Sequence, residues 1–248
     1  MNELERAARD LVIANRVLAN EGVVDAFGHV SVRHPLDPGR YLLSCSRSPE
    51  LVEAADVIEF TLDGRPVGDD HRPLYVERFI HGAIYESRPD IHAVVHAHAE
   101  AVLPFGITKT PLRPVLHNAG EMGTQVPVWD ISDHFGDGTT LLVTNMLQGR
   151  DLAQRLGKER AVLMRGHGFT AAGRALVEVV KISIYLPRNA RVLLAALQLG
   201  EVKGLSSGEI EVISAVKPDV QYNRRAWEYW ATRAGCGHLL AQSPGKPG

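Results

Sequence analysis

The apolar segment 91–99 carries near its end two histidines, His96 and His98, in the pattern His-Ala-His; its third histidine, His92, is about 13 Å from His96 along a strand and too far to share a metal ion. Its composition predicts a strand, in which residues two apart share one face with their Cα atoms about 6.6 Å apart. Two imidazoles at that spacing can reach one metal ion, because a metal–nitrogen bond is about 2.1 Å long. A solvated or hydrogen-bonded histidine pair is the more common alternative. The pattern therefore predicts half of a metal site, which other ligands must complete.

A third histidine, His167, lies between Gly166 and Gly168, directly after the predicted strand 160–165. Glycines at these positions allow the backbone to turn sharply and bring the imidazole to the edge of the sheet. Such a position favours a ligand over a histidine of the hydrophobic core.

A carboxylate, Glu77, lies on the predicted helix 75–87 that precedes the histidine strand. A solvated surface group is the usual alternative for such a residue. His81 follows Glu77 by one helical turn on the same face and is a rival ligand. Three imidazoles and one carboxylate would form a four-coordinate divalent site with a position that can open for substrate.

Composition limits the classes of function. The chain has 248 residues, 45% hydrophobic and 23% charged, with a formal net charge of −2, so it shows no basic excess for nucleic acid or anionic membrane. Only two cysteines occur, Cys45 and Cys236, too few for a disulfide framework. The N-terminal residues are charged and no run of 18 apolar residues occurs. We expect a cytoplasmic protein with a small-molecule substrate.

Hydrophobic periodicity predicts the remaining elements. Apolar residues at helical spacing predict helices over 3–20, 75–87, 148–156 and 174–200, the last kinked or split at Pro187. Short apolar runs between turn residues predict strands over 30–33, 40–44, 57–61, 91–99, 140–143 and 160–165. We therefore expect one mixed α/β domain over 1–241 and a tail of disordered composition over 242–248.

Together these residues resemble the class II aldolase and adducin family. The resemblance covers about residues 5–200 and rests on Gly28-x-x-Ser31-x-Arg33, Glu77 nineteen residues before His96, His96-x-His98, and Arg165-Gly166-His167-Gly168. It implies a three-layer α/β/α domain with a central, largely antiparallel sheet, assembled as a homotetramer with active sites at subunit interfaces. Carried over by position, it makes the three histidines His96, His98 and His167 metal ligands and Glu77 an acid/base group that can also bind the metal.

Departures from the sugar-phosphate aldolases of this family concern phosphate binding. His29 stands where those enzymes have Asn, and Tyr75-Val76 stands where they have a Ser-Ser pair. The loop 44–48 instead adds Arg47, and arginine binds a carboxylate in a bidentate manner. A planar carboxylate is therefore the expected anionic group, although a solvated loop arginine is an equal alternative. The expected substrate contacts are Arg47, Ser46, Ser48, Ser31 and His117, and for His117 a structural turn role is an equal alternative.

The resemblance is greatest to the branch that decarboxylates hydroxylated aromatic acids such as 3-hydroxy-2-methylpyridine-4,5-dicarboxylate, in vitamin B6 degradation. It implies Mn²⁺, with the Zn²⁺ of the aldolases as the alternative. The metal would stabilise enolate charge as a Lewis acid, while Glu77 first, or His29 second, protonates the ring carbon. An aldolase or epimerase of an unphosphorylated hydroxy-carbonyl compound is the alternative enzyme, and a non-catalytic adducin-like binding protein is a remote one.

Overall fold

Seven strands and eight helices occur in residues 1–240, the part of the chain that the structure, a computed structural model, describes. The strands are β1 (His29–Arg33), β2 (Arg40–Ser44), β3 (Val57–Thr61), β4 (Ala93–Ala97), β5 (Val128–Trp129), β6 (Ala161–Met164) and β7 (Gly168–Gly173). The helices are α1 (Glu3–Asn20), α2 (Arg78–Ser87), α3 (Leu103–Gly106), α4 (Ser132–Phe135), α5 (Met146–Leu156), α6 (Leu176–Leu199), α7 (Ser207–Ser214) and α8 (Gln221–Arg233). The predicted tail 242–248 lies outside the described residues.

All seven strands form one sheet in the order β3-β2-β1-β4-β7-β6-β5. Every neighbouring pair is antiparallel except β5 and β6, which are parallel. Apolar side chains of α1, α6 and α8 pack in one core, and those of α2 and α5 pack in a second. The expected three-layer α/β/α architecture with a largely antiparallel sheet is confirmed. No helix among residues 1–240 is both long and apolar enough to cross a membrane.

Strand β1 separates apolar from polar side chains by its period of two. Val30 and Val32 belong to the core beneath α1 and α6. His29 and Ser31 lie on the opposite face, where both are hydrogen-bonded to residues of α2. Because β1 also pairs with β4, directly opposite residues share a face, and the register places His29 beside His96. This pairing positions the polar side chains that surround the site.

The structure departs from the predicted secondary structure in two places. Segment 140–143 is a loop and not a strand, because Leu141 has a φ of +64°, outside the strand region. The run Gly-Phe-Thr-Ala-Ala-Gly of β7 carries no strand prediction, since alanine and glycine favour strands weakly, yet β4 and β6 pair with it on both sides. At Pro187, where a kink or a split was expected, helix α6 does not split, because the surrounding turns are buried and packing outweighs one lost hydrogen bond.

Candidate metal centre

Four side chains converge at one end of the sheet, with one ligand atom from each lying within 4.8 Å of the others: Glu77, His96, His98 and His167. We call them the metal quartet. The Nε2 atom of His98 lies 3.0 Å from that of His96 and 2.9 Å from that of His167. Glu77 Oε2 lies 3.2 Å from His96 Nε2 and 3.5 Å from His167 Nε2. Ligands bound tetrahedrally at about 2.1 Å are roughly 3.4 Å apart, so these distances fit one ion.

Strand ends and one tight turn supply the three imidazoles. His96 lies on β4, and His98 follows one residue after the end of that strand. His167 lies in the turn between β6 and β7, where Gly166 has a φ of +66°. A Cβ atom at Gly168 would lie 2.2 Å from the carbonyl oxygen of Ala97, so only glycine allows β7 this close to β4. Gly166 thus makes the predicted sharp turn, whereas Gly168 is required by the close approach of β7 to β4.

Backbone carbonyls fix the protonation of two ligands. His96 Nδ1 donates to the carbonyl of Phe169 at 3.1 Å, and His167 Nδ1 donates to that of Leu141 at 2.9 Å. A carbonyl only accepts, so each Nδ1 carries the proton and each Nε2 presents a lone pair to His98. His98 Nε2 carries at most one proton, so at most one of its two contacts, with His96 Nε2 or with His167 Nε2, can be a hydrogen bond. A set of facing acceptors beside a carboxylate suits a bound cation, so the residues fit a divalent metal.

The loop over residues 139–145 supports the metal quartet with two backbone contacts. Leu141 accepts from His167, as described, and Val143 N–H donates to Glu77 Oε1 at 3.0 Å. Leu141 holds the left-handed backbone conformation that a bulky residue rarely adopts. The sequence predicted a strand here, and an apolar run of four residues contains no signal for this role. The support that this loop gives to the metal quartet is visible only in the three-dimensional structure.

Burial and neighbouring groups shift the pKa values of the ligands. Burial raises the pKa of Glu77, but His96, His167 and the N–H of Val143 outweigh it and bring the value to about 2. Burial and then the adjacent imidazoles lower the pKa of His98 to about 4, and they lower that of His167 as well. At neutral pH Glu77 is therefore ionised and His98 and His167 are neutral, which are the forms that bind metals.

A cavity of about 410 Å³ opens beside the metal quartet. Its lining includes the ligands Glu77 and His98 and the predicted site residues His29, Ser46, Arg47 and Ser48. Arg47 Nη1 donates to Asp56 Oδ2 at 2.7 Å, and the hydroxyl of Tyr75 donates to the Arg47 carbonyl. These contacts hold the Arg47 loop in place. Glu53 Oε1 also lies 3.8 Å from Arg47 Nη2, so two carboxylates flank the guanidinium.

Three other sequence-predicted residues lie elsewhere. His81 was a rival ligand, but its Nε2 lies 2.6 Å from His29 Nδ1 and its Nδ1 lies 2.6 Å from Ser31 Oγ, so both nitrogens are engaged outside the metal quartet. Ser31 is fully buried beneath the cavity, where Tyr85 is its other partner, and does not line it. His117 is exposed on a 3-10 helix beside Asn118, also away from this cavity.

Comparison with known proteins places this geometry in a family. The family described as Class II Aldolase and Adducin N-terminal domain matches residues 9–194. The chain is 32% identical to Decarboxylase tropJ from Talaromyces stipitatus, over 93% of this chain and 95% of that protein. It is 29% identical to 3,4-dihydroxyphthalate decarboxylase from Terrabacter sp., over 92% of this chain and 98% of that protein.

A solved structure shares the fold. The aldolase II superfamily protein from Pseudomonas syringae superposes with a TM-score of 0.78 at 19% identity, over 97% of this chain and 98% of that one. The family match spans most of the chain and includes the whole metal quartet. The protein therefore belongs to the class II aldolase and adducin family.

Proposed function

We propose that the protein is a metal-dependent carboxy-lyase that decarboxylates a hydroxylated aromatic dicarboxylate. The observation that carries this proposal is that the metal quartet opens onto the same small cavity as His29 and Arg47. About 410 Å³ suits one substituted aromatic ring. The names of two relatives, both decarboxylases and one acting on dihydroxyphthalate, support the same reaction class.

A divalent ion would be held by the three imidazoles and the carboxylate of the metal quartet. This donor set suits Mn²⁺, Zn²⁺, Fe²⁺ or Co²⁺, and we propose Mn²⁺ with Zn²⁺ as the alternative. When bound, the ion supplies a Lewis acid that stabilises negative charge on a substrate oxygen.

Glu77 would carry the proton of the reaction. Because its pKa is lowered, Glu77 is ionised and can accept the proton of the ring hydroxyl next to the departing carboxylate, a hydroxyl whose acidity a bound metal ion would increase. It then delivers that proton to the ring carbon that bears the carboxylate. The carbon–carbon bond breaks, its electron pair returns to the ring and its oxygen, and CO₂ leaves. The ring oxygen finally takes a proton from water, so one proton is consumed for each CO₂ released.

His29 and the Arg47 loop would bind the anionic substrate. Burial, followed by the neighbouring imidazoles, lowers the pKa of His29 well below its usual value, so the ring is neutral at physiological pH. A neutral imidazole is a poor proton source but a good hydrogen-bond donor, which assigns His29 to holding substrate and Glu77 to moving the proton. Arg47, with Ser46 and Ser48, would bind the carboxylate that is retained.

The ring itself is proposed from chemistry shared by two compounds. In both 3-hydroxy-2-methylpyridine-4,5-dicarboxylate and 3,4-dihydroxyphthalate, a hydroxyl and two carboxylates occupy three consecutive ring carbons. That triad offers an oxygen pair to the metal quartet and a second carboxylate to Arg47. The pyridine of vitamin B6 degradation thus stays a candidate substrate beside the benzene compound.

Assembly as a homotetramer with active sites at subunit interfaces is also part of the proposal. Phe27 lines the rim of the cavity and is 67% exposed. A large apolar side chain at the rim of a polar site favours cover by a neighbouring subunit.

The test is CO₂ release by the Mn²⁺-loaded protein from both triad compounds. Phthalate, which lacks the hydroxyl, is the matched control, and an EDTA-treated sample reloaded with Mn²⁺ or Zn²⁺ tests the ion. We expect metal-dependent CO₂ from at least one triad compound and none from phthalate. Metal-dependent release of an aldehyde or pyruvate from hydroxy-carbonyl substrates, without CO₂ from the panel, would favour the aldolase. A protein that binds no metal would favour the adducin-like role.

A further inference from the structure

A chain of buried polar groups extends from the cavity into the protein. His29 Nδ1 lies 2.6 Å from His81 Nε2, and His81 Nδ1 lies 2.6 Å from Ser31 Oγ. Ser31 Oγ in turn lies 2.8 Å from the hydroxyl of Tyr85. All four residues are at most 4% exposed. We call Tyr85, Ser31 and His81 the relay behind His29.

Two periodicities bring the relay together. His29 and Ser31 are two residues apart on β1 and share one face, whereas His81 and Tyr85 are one turn apart on α2 and share another. Helix α2 lies on that face of the sheet, so the two pairs interlock. The ring of Tyr75, whose centroid lies 4.6 Å from that of His29, packs against the imidazole from another side. The position of His29 is therefore fixed by contacts that the reaction itself does not require.

The direction of each hydrogen bond follows from Tyr85, at the end of the relay farthest from the cavity. Among the described residues, Ser31 Oγ is the acceptor available to the Tyr85 hydroxyl, since its other contact, the backbone N–H of Val94, can only donate. An unused buried donor is costly. Tyr85 therefore donates to Ser31, Ser31 donates its one proton to His81 Nδ1, and His81 donates from Nε2 to His29 Nδ1. A neutral His29 must then carry its own proton on Nε2. In the described part of the chain this atom has no protein partner and is not buried, so it faces the cavity.

We propose that Tyr85, Ser31 and His81 are positioning residues that hold His29 in the tautomer whose Nε2–H points into the cavity. The opposite tautomer would present a lone pair there and repel an anionic oxygen. The relay thus makes the inner wall of the cavity a fixed hydrogen-bond donor for a carboxylate or ring oxygen of the substrate. This inference rests on the proposed function for the identity of that oxygen, but the tautomer itself does not.

The first measurement is the tautomer of His29 in the Zn²⁺-loaded, ¹⁵N-histidine-labelled protein, by long-range ¹H–¹⁵N NMR. The spectrum of His29→Gln assigns its signals. We expect a protonated Nε2 and a hydrogen-bond-accepting Nδ1 in the wild type. In Ser31→Ala, the signals of both ring nitrogens of His29 should shift toward those of a mixture of tautomers. The value of kcat/KM should fall roughly tenfold, as is usual when a supporting hydrogen bond is lost. Ser31→Thr, which keeps the hydroxyl, should restore both.

Ser183→Ala is the matched control. Ser183 is also fully buried, but its hydroxyl donates to the carbonyl of Val179 within α6. It should leave the His29 tautomer and kcat/KM unchanged. If Ser31→Ala does not fold, Tyr85→Phe tests the same bond chain, because it removes only the terminal hydroxyl.

A proton on Nδ1 in the wild type, or an unchanged tautomer in Ser31→Ala and Tyr85→Phe, would overturn the proposal. These results differ from failure of the proposed function. If the variants shift the tautomer while the wild type decarboxylates nothing, the relay stands and the decarboxylase does not. If the wild type decarboxylates and the tautomer never moves, the relay alone is wrong.

Discussion

Two buried polar clusters, each with one carboxylate, differ in their charge balance. The metal quartet combines Glu77 with three imidazoles whose Nε2 atoms face one another. The second cluster links α6 to α8, where Lys181 Nζ donates to Glu121 Oε1 at 2.6 Å and to Asn223 Oδ1 at 3.2 Å. We call it the lysine cluster.

The difference lies in where the positive charge comes from. Lys181 compensates Glu121 from within the chain, and its ammonium also lies 5.0 Å from the centre of the Tyr222 ring. The metal quartet contains a carboxylate and three imidazoles but no permanent cation. Buried carboxylates are stable only when paired, and Lys181 gives the lysine cluster its own countercharge, although Glu121 Oε2 has no hydrogen-bond partner among the described residues. The metal quartet has no such countercharge within the chain and fits an external cation.

Removing one ligand should have the largest effect on activity. His96→Ala deletes an imidazole that the other three ligands need to complete the coordination of one ion. We expect the variant to lose stoichiometric metal, measured by elemental analysis. Because the Lewis acid that stabilises negative charge is then missing, kcat should fall roughly thousandfold. The circular dichroism spectrum should stay that of the folded protein.

His92→Ala is the matched control for this variant. His92 is exposed, just before β4, and is not part of the metal quartet. It should keep both metal and turnover. A His96→Ala protein that is active without metal would contradict the metal hypothesis.

The two carboxylates make a second, more selective comparison. Glu77→Gln removes the proton carrier but keeps an oxygen ligand, so much of the metal should remain while kcat falls roughly 10²- to 10⁴-fold. Glu121→Gln should leave kcat unchanged and lower the free energy of unfolding, because Lys181 loses its charged partner. Steady-state kinetics and urea unfolding of both variants test whether Glu77→Gln lowers kcat while Glu121→Gln lowers the free energy of unfolding. Equal loss of turnover in the two variants would refute the separate roles.

Local sequence patterns indicated the three histidines of the metal quartet, whereas the resemblance singled out Glu77 over its rival His81. The spacing of His-Ala-His brings two ligands together, although His98 lies one residue beyond β4. Gly-His-Gly indicates a third ligand because each glycine has a backbone reason to be there. The three-layer fold followed from the resemblance and from helices whose bounds lie within a few residues of those observed. These features depend on neighbours in sequence, which is why they could be predicted.

The remaining parts of the site depend on contacts between distant segments. Leu141 supports His167 only because its loop crosses the end of the sheet. His81 was expected to share the helix face of Glu77, but Glu77 lies just before α2 and the partner of His81 is His29, 52 residues away in sequence. No local pattern predicts such a pairing. Glu121 and Lys181, 60 residues apart, were not singled out for the same reason.

The smallest effect on turnover, and the largest on stability, is expected at Lys181. Lys181→Met leaves the Glu121 carboxylate buried without its cation, which costs about 3 kcal/mol in free energy of unfolding when such a pair is broken. The double variant Lys181→Met/Glu121→Leu should recover most of that loss, because it removes the uncompensated charge as well. Urea unfolding at one fixed protein concentration measures both, since assembly would make stability depend on concentration. Metal content and kcat should match the wild type in each folded variant. If Lys181→Met instead released the metal while its stability stayed unchanged, the two clusters would be coupled and the lysine cluster would belong to the active site.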